Sequence, residues 1–189
     1  MSNRVISVFG GSSPQPGSSP YQNAYDIGRL LAQFGFAVAS GGYSGTMSAV
    51  SQGAAEAGGY VIGVTSEQIE RFRPLGPNKW VDEEIRYKTL QERLIHLVRN
   101  NHGMIVLPGG IGTLSEMALA WSYLQVGEIS ARPLVLFGQQ WRKTINSFVD
   151  PLYVRQEHMQ LLHITDLPIQ AVEYVANHPT IKFKVEKSS

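Results

Sequence analysis

Glu116 is the only charged residue between Thr113 and Gly127, and it follows directly on the run Pro108-Gly109-Gly110-Ile111-Gly112-Thr113. Glycines let a backbone turn sharply and come close to a ligand. A helix that starts there presents free N–H groups and the positive end of its dipole, which attract an anion. The chemistry on offer is a phosphate cradle with a carboxylate one turn further on, within a few ångströms of any sugar the phosphate carries. Local pattern leaves a second reading open. Thr113-Leu114-Ser115-Glu116 also spells a capping box, in which the glutamate folds back onto its own helix start.

Arg93 is the other candidate. It stands three residues after Leu90 and four before Leu97, so it borders an apolar helical stripe formed with Leu94 and Val98. Its stem could pack while the guanidinium reaches water. Alternatively it is a fixed cation beside a crevice, a role that suits arginine because it stays charged and offers a planar fork to phosphate, ribose or a purine edge.

Both residues need elements to place them. Apolar runs alternate with helical patterns along the chain, which predicts an α/β fold: a Rossmann-like, doubly wound parallel sheet in three α/β/α layers. Strands are expected near Val5–Phe9, Phe36–Ala39, Tyr60–Val64, Gly103–Leu107, Leu134–Phe137 and Leu161–Ile164. Helices are expected from Ser18-Ser19-Pro20 to about Gly35, and over Gly45–Ala57, Ile85–Asn100, Thr113–Val126, Trp141–Arg155 and Pro168–Ala176. In such sheets ligands sit beyond the carboxyl ends of the strands. Three glycine turns fall there, at Gly10-Gly11-Ser12-Ser13, Gly41-Gly42-Tyr43-Ser44-Gly45-Thr46 and Gly109–Thr113, and they are expected to line one crevice. The stretch Thr65–Trp80, with Arg71, Phe72 and Arg73, reads either as a mobile flap over it or as an ordinary solvated loop.

Several chemistries are excluded by what the turns lack. The first turn has no Gly-x-Gly-x-x-Gly and the second strand ends Ala39-Ser40-Gly41 without an acid, so a nicotinamide dinucleotide has no ribose partner. No Walker pattern is present, and Gly42-Tyr43-Ser44-Gly45 is one residue short of a serine-hydrolase elbow. The five histidines show no ligand-pair spacing and there is no cysteine, so no metal site is expected.

With 189 residues, 43% hydrophobic, the chain is expected to form a single domain over 1–189, with a polar tail at 178–189. A formal net charge of +1 with scattered basic residues argues against a nucleic-acid polymer as partner. The start at Met1 leads straight into a strand pattern, and no apolar span is long enough for a bilayer, so a cytoplasmic protein without a membrane partner is expected.

With Arg93, the Pro108 motif and the Gly41 turn together, the chain resembles the LOG family of nucleoside 5′-monophosphate phosphoribohydrolases, the cytokinin-activating enzymes often mislabelled lysine decarboxylases. The resemblance runs from about Val5 to Phe137. The signature Pro-Gly-Gly-x-Gly-Thr-x-x-Glu is matched in full by Pro108–Glu116, Gly-Gly-x-x-Gly-x-Met by Gly41–Met47, and Glu-Arg-Lys in part by Glu92-Arg93-Leu94. It implies that Gly109, Gly110, Gly112 and Thr113 hold the 5′-phosphate and that Ser12, Gly42 and Met47 shape the base and ribose side. Arg93 and Glu116 would then serve cleavage of the N-glycosidic bond. It also implies a homodimer, in keeping with the surplus apolar surface on the motif helix and the helix before it. No cofactor is expected: pyridoxal chemistry needs a Schiff-base lysine, and none of the lysines falls in a glycine turn. The departure is Leu94 in place of the family lysine, which bears on substrate choice and on activity itself. A different class of function fits the same cradle, a carrier that binds a nucleotide or a molybdenum-cofactor pterin without cutting it.

Overall fold

The computed structural model describes residues 4–72 and 76–178; Arg73 of the expected flap and all but the first residue of the expected polar tail lie outside them. Seven strands form one all-parallel sheet: β1 (Val5–Phe9), β2 (Ala37–Ser40), β3 (Val61–Ser66), β4 (Glu83–Tyr87), β5 (Gly103–Val106), β6 (Leu134–Phe137) and β7 (Leu162–Thr165). Their order is β4-β3-β2-β1-β5-β6-β7. The winding reverses between β1 and β5, where a doubly wound sheet opens its crevice.

Eight helices are described: α1 (Ser19–Gln33), α2 (Thr46–Glu56), α3 (Glu67–Phe72), α4 (Leu90–Arg99), α5 (Ile111–Val126), α6 (Gln139–Phe148), α7 (Gln156–Met159) and α8 (Pro168–Asn177). Ile27, Leu31, Val50 and Val172 of α1, α2 and α8 pack on one sheet face. Leu97, Met117, Trp121 and Ile145 of α4, α5 and α6 cover the other. Burial on both faces explains the near-continuous apolar reading of β1, β5 and β6. None of the described helices is long and apolar enough to cross a membrane.

The expected helix from Ile85 is overturned: Glu83–Tyr87 is the edge strand β4, paired only with β3, and the helix begins at Leu90. An edge strand buries little, so its charged residues hid the alternation. The expected Trp141–Arg155 helix ends at Phe148, since the residue before Pro151 disfavours helical backbone. The helices α3 and α7 were not expected. Part of the segment read as a flap or loop is the end of β3 and α3, and Thr65 and Ser66 in it are fully buried.

Candidate active site

The three glycine turns meet. Gly11 N–H donates to the Pro108 carbonyl at 3.2 Å, and both the N–H and the hydroxyl of Thr46 donate to the Gly11 carbonyl at 2.9 and 3.0 Å. The Ser44 hydroxyl donates to the Ser12 carbonyl at 3.2 Å, which ties the second turn to the first. Close approach demands glycine at Gly109, where a Cβ would stand 2.2 Å from the Thr113 hydroxyl oxygen and 3.0 Å from the Gly11 nitrogen. It demands glycine again at Gly41, where a Cβ would fall 2.0 Å from an Arg93 guanidinium nitrogen and 2.5 Å from the Met47 sulfur.

The helix α5 starts two residues earlier than expected, with Gly110 as N-cap and no capping side chain. The capping-box reading of Thr113 and Glu116 is therefore overturned: both lie inside the helix, at 4% and 7% exposure. The capping box of this region belongs to α4, where the Thr89 side chain accepts from Glu92 N–H and the Glu92 carboxylate accepts from Thr89 N–H. That leaves the first N–H groups of α5 without an intrahelical acceptor, in a stretch where Gly110, Ile111 and Gly112 are exposed. The helix α2 also begins on a glycine, Gly45, with no side-chain cap.

Arg93 does not reach for water. It is 6% exposed, its Nε donates to the Val64 carbonyl at 2.8 Å, and its Nη1 lies 3.4 Å from Glu116 Oε1. Its guanidinium carbon stands 5.8 Å from the centre of the Tyr43 ring. Tyr43 is buried and held in turn, accepting from Ser66 N–H at 2.9 Å and donating toward Glu70 at 3.4 Å. Sequence reasoning missed this support. It also missed Asn78, whose side-chain amide donates to the carbonyls of Gly42 and Tyr43 at 2.9 and 3.1 Å and so pins the second turn. Asn78 falls in the stretch read as flap or loop, and only the fold shows what it grips.

Burial pushes the Glu116 carboxyl above its ordinary value of 4.5, and the adjacent Arg93 opposes that shift. The folded chain therefore keeps this proton to a higher pH than the unfolded chain does. Between the two values the folded state binds more protons, so this group's contribution to stability falls as pH rises from about 4.5. Urea unfolding at pH 5 and pH 8 is expected to show the parent losing stability across that interval relative to Glu116→Gln, which has no carboxyl to ionise there.

Of the sequence-derived residues, Gly109, Gly110, Gly112, Thr113 and Glu116 lie on one strand-to-helix crossing. Arg93 meets Glu116 from α4. Ser12 and Gly42 belong to the two turns packed beside them, and Met47 to the first turn of α2. Two cavities lie nearby. One of about 370 Å³ borders the crossing at Pro108 and is lined also by Asn23, Gly138 and Asp166; an apolar trough of about 570 Å³ lies between α5 and α6, lined by Leu114, Trp121, Phe148 and Tyr153. Neither is lined by Arg93 or Glu116. Among the described residues no cluster of histidine, aspartate and glutamate is arranged to hold a metal ion.

Residues 3–149 match the model of the SLOG cluster4 family. The chain is 29% identical over 169 residues to a protein of Mycobacterium tuberculosis named cytokinin riboside 5′-monophosphate phosphoribohydrolase, covering 86% of this chain and 88% of that one. It is 31% identical over 149 residues to an Arabidopsis thaliana protein of the same name, covering 78% and 68%. Among solved structures it is similar to the molybdenum cofactor binding protein of Rippkaea orientalis, with a TM-score of 0.73 and 25% identity over 94% of this chain and 98% of that one.

Proposed function

The chain belongs to the SLOG cluster4 family and is a member of the LOG family, and from that premise we propose that it hydrolyses the N-glycosidic bond of a nucleoside 5′-monophosphate, of the cytokinin riboside or AMP type. The observation that carries this reading is the buried Arg93–Glu116 pair set one turn inside the uncapped start of α5. The N–H groups of Gly110, Gly112 and Thr113 receive the 5′-phosphate, which the helix dipole favours; Gly109, expected among them, instead donates its N–H to Gln140 Oε1 at 3.1 Å and shapes the turn. Cleavage of the bond between the base and ribose C1′ builds positive charge on the sugar, and the Glu116 carboxylate stabilises it while orienting the attacking water. Water adds across the bond, its hydroxyl going to C1′ and its proton to the base, so the products are free base and ribose 5-phosphate. Arg93 favours the ionised form of the carboxylate against the effect of burial, while Ser12, Gly42 and Met47 border the base and ribose. Incubation with AMP and with cytokinin riboside monophosphates is expected to release free base and ribose 5-phosphate; binding without release would sink the hydrolase reading.

Gly112 supports the cradle assignment. A Cβ at Gly112 would meet nothing within 4 Å among the described residues and its backbone is not left-handed, so none of them asks for glycine there. A close ligand would. Gly112→Ala is expected to raise stability by up to about 1 kcal/mol in chemical unfolding while weakening nucleotide binding in calorimetry. Equal affinity of variant and parent would remove Gly112 from the phosphate site.

A second reading keeps the cradle and drops the chemistry. Similarity to the molybdenum cofactor binding protein over nearly the whole chain favours a nucleotide or pterin carrier, and Leu94, where LOG enzymes carry lysine, points the same way. The same incubation separates the two readings. The exposed apolar residues of α5, with Ile111 at 79% and Val126 at 71%, support a homodimer. Light scattering is expected to give twice the mass of one chain.

A further inference from the structure

We propose that Gln140 is a positioning residue that holds the phosphate loop in its ligand-ready shape, an inference that rests on the cradle assignment made above. The backbone of the crossing can be accounted for group by group. Leu107 N–H donates to the Phe9 carbonyl at 2.8 Å, and the Leu107 carbonyl accepts from the buried Trp141 indole at 3.0 Å. Pro108 has no N–H, and its carbonyl accepts from Gly11 at 3.2 Å. At Gly109 no main-chain group of the described residues supplies a partner. Both groups of that residue go instead to one side-chain amide: Gly109 N–H donates to Gln140 Oε1 at 3.1 Å, and Gln140 Nε2 donates to the Gly109 carbonyl at 2.9 Å. Next along the chain, the Gly110 carbonyl accepts from Leu114 and opens the first helical turn.

Gln140 thus closes the last gap between the sheet and the free donors of α5. Its element is placed for the task. The first turn of α6 lies against the loop, where a Cβ at Gly138 would touch the Pro108 ring at 3.3 Å, and Trp141 anchors it from the next position. A loop with three glycines loses much conformational freedom when it binds. Fixing Gly109 beforehand removes part of that cost, so the gain appears in affinity for the phosphate and not in the bond-breaking step. The donation to Gln140 also turns the Gly109 N–H away from any anion, which leaves the donors from Gly110 to Thr113 as the cradle. Glutamine is the residue type this needs, because one planar amide both accepts and donates. Glutamate can only accept, and it would bring negative charge to an anion site.

The test uses Gln140→Met, which keeps length and packing, and Gln140→Glu, which keeps shape and loses the donor. For Gln140→Met, KM for AMP and the Kd of ribose 5-phosphate are expected to rise about tenfold, the order expected for two lost hydrogen bonds. Its kcat should stay within about twofold and its Kd for adenosine should not move, because Glu116 and Arg93 are untouched and only phosphate contacts are disturbed. Gln140→Glu should bind ribose 5-phosphate more weakly still. Gln140→Met with parental affinity for ribose 5-phosphate, or with adenosine weakened as much, overturns the proposal. So does a Gln140→Met chain that fails to fold, since the side chain would then be holding the fold. A parent that binds neither ribose 5-phosphate nor AMP refutes the cradle assignment, whereas binding without hydrolysis refutes only the enzymatic reading.

Discussion

Glu116→Gln is expected to lower kcat for a nucleoside monophosphate by about a thousandfold while leaving its Kd within about threefold, the pattern of a group that acts on charge developed in the transition state. The side chains have nearly the same shape, and the amide can still accept from Arg93 across the 3.4 Å contact. What disappears is a negative charge that is 7% exposed. In water such a charge would count for little against a cationic sugar. In a site that excludes water it counts for several kcal/mol, because little solvent screens it. Steady-state kinetics together with calorimetry of AMP on the variant decide the matter. Turnover equal to the parent would show that Glu116 does no chemistry and would remove it from the catalytic role.

Arg93→Met is expected to cost about 3–5 kcal/mol of stability, because it leaves the Glu116 carboxylate buried without its cation. The loss extends further than one ion pair. Arg93 also donates to the Val64 carbonyl, ties α4 to the end of β3, and lies over the Tyr43 ring. Adding Glu116→Leu to Arg93→Met is expected to recover most of that stability, since replacing a buried pair by apolar groups of similar volume is often neutral or stabilising. Activity does not return in the double variant. Urea unfolding of the two single variants and the double variant closes the cycle. If Arg93→Met alone proves as stable as the parent, the pair is not coupled, and Arg93 loses its place beside Glu116.

Taken together, these outcomes describe a site whose most informative groups cost stability to keep. The uncapped start of α5, the glycine at position 112 and the buried carboxylate are each poorer for folding than a simple alternative. Local rules broken in one place without a compensating gain inside the chain point outward to a ligand. Uncapped starts recur at α6, α7 and α8, so the inference rests on Gly112 and the buried carboxylate.

Much of this was legible before any coordinates. The alternation of apolar runs and helical segments fixed the doubly wound sheet, because strands buried on both faces must read as apolar and crossover helices must separate them. The glycine turns at strand ends, with Glu116 one turn beyond, singled out the strand-to-helix crossing on which the proposed cradle rests. Only the tertiary structure decided between the open readings. Spacing says that Arg93 borders an apolar stripe, but whether it reaches solvent or Glu116 depends on the angle at which α4 crosses α5 over the sheet. Likewise Thr113-Leu114-Ser115-Glu116 fits a cap and a helix interior equally, and the choice falls where the helix starts, at Ile111. Edge strand β4 escaped notice because a strand with one neighbour and little burial carries no clear alternation. Asn78, Tyr43 and Gln140 could not be found at all by reading along the chain. Each acts on a backbone or side chain more than twenty residues away, and a hydrogen bond between distant segments leaves no periodic trace in sequence.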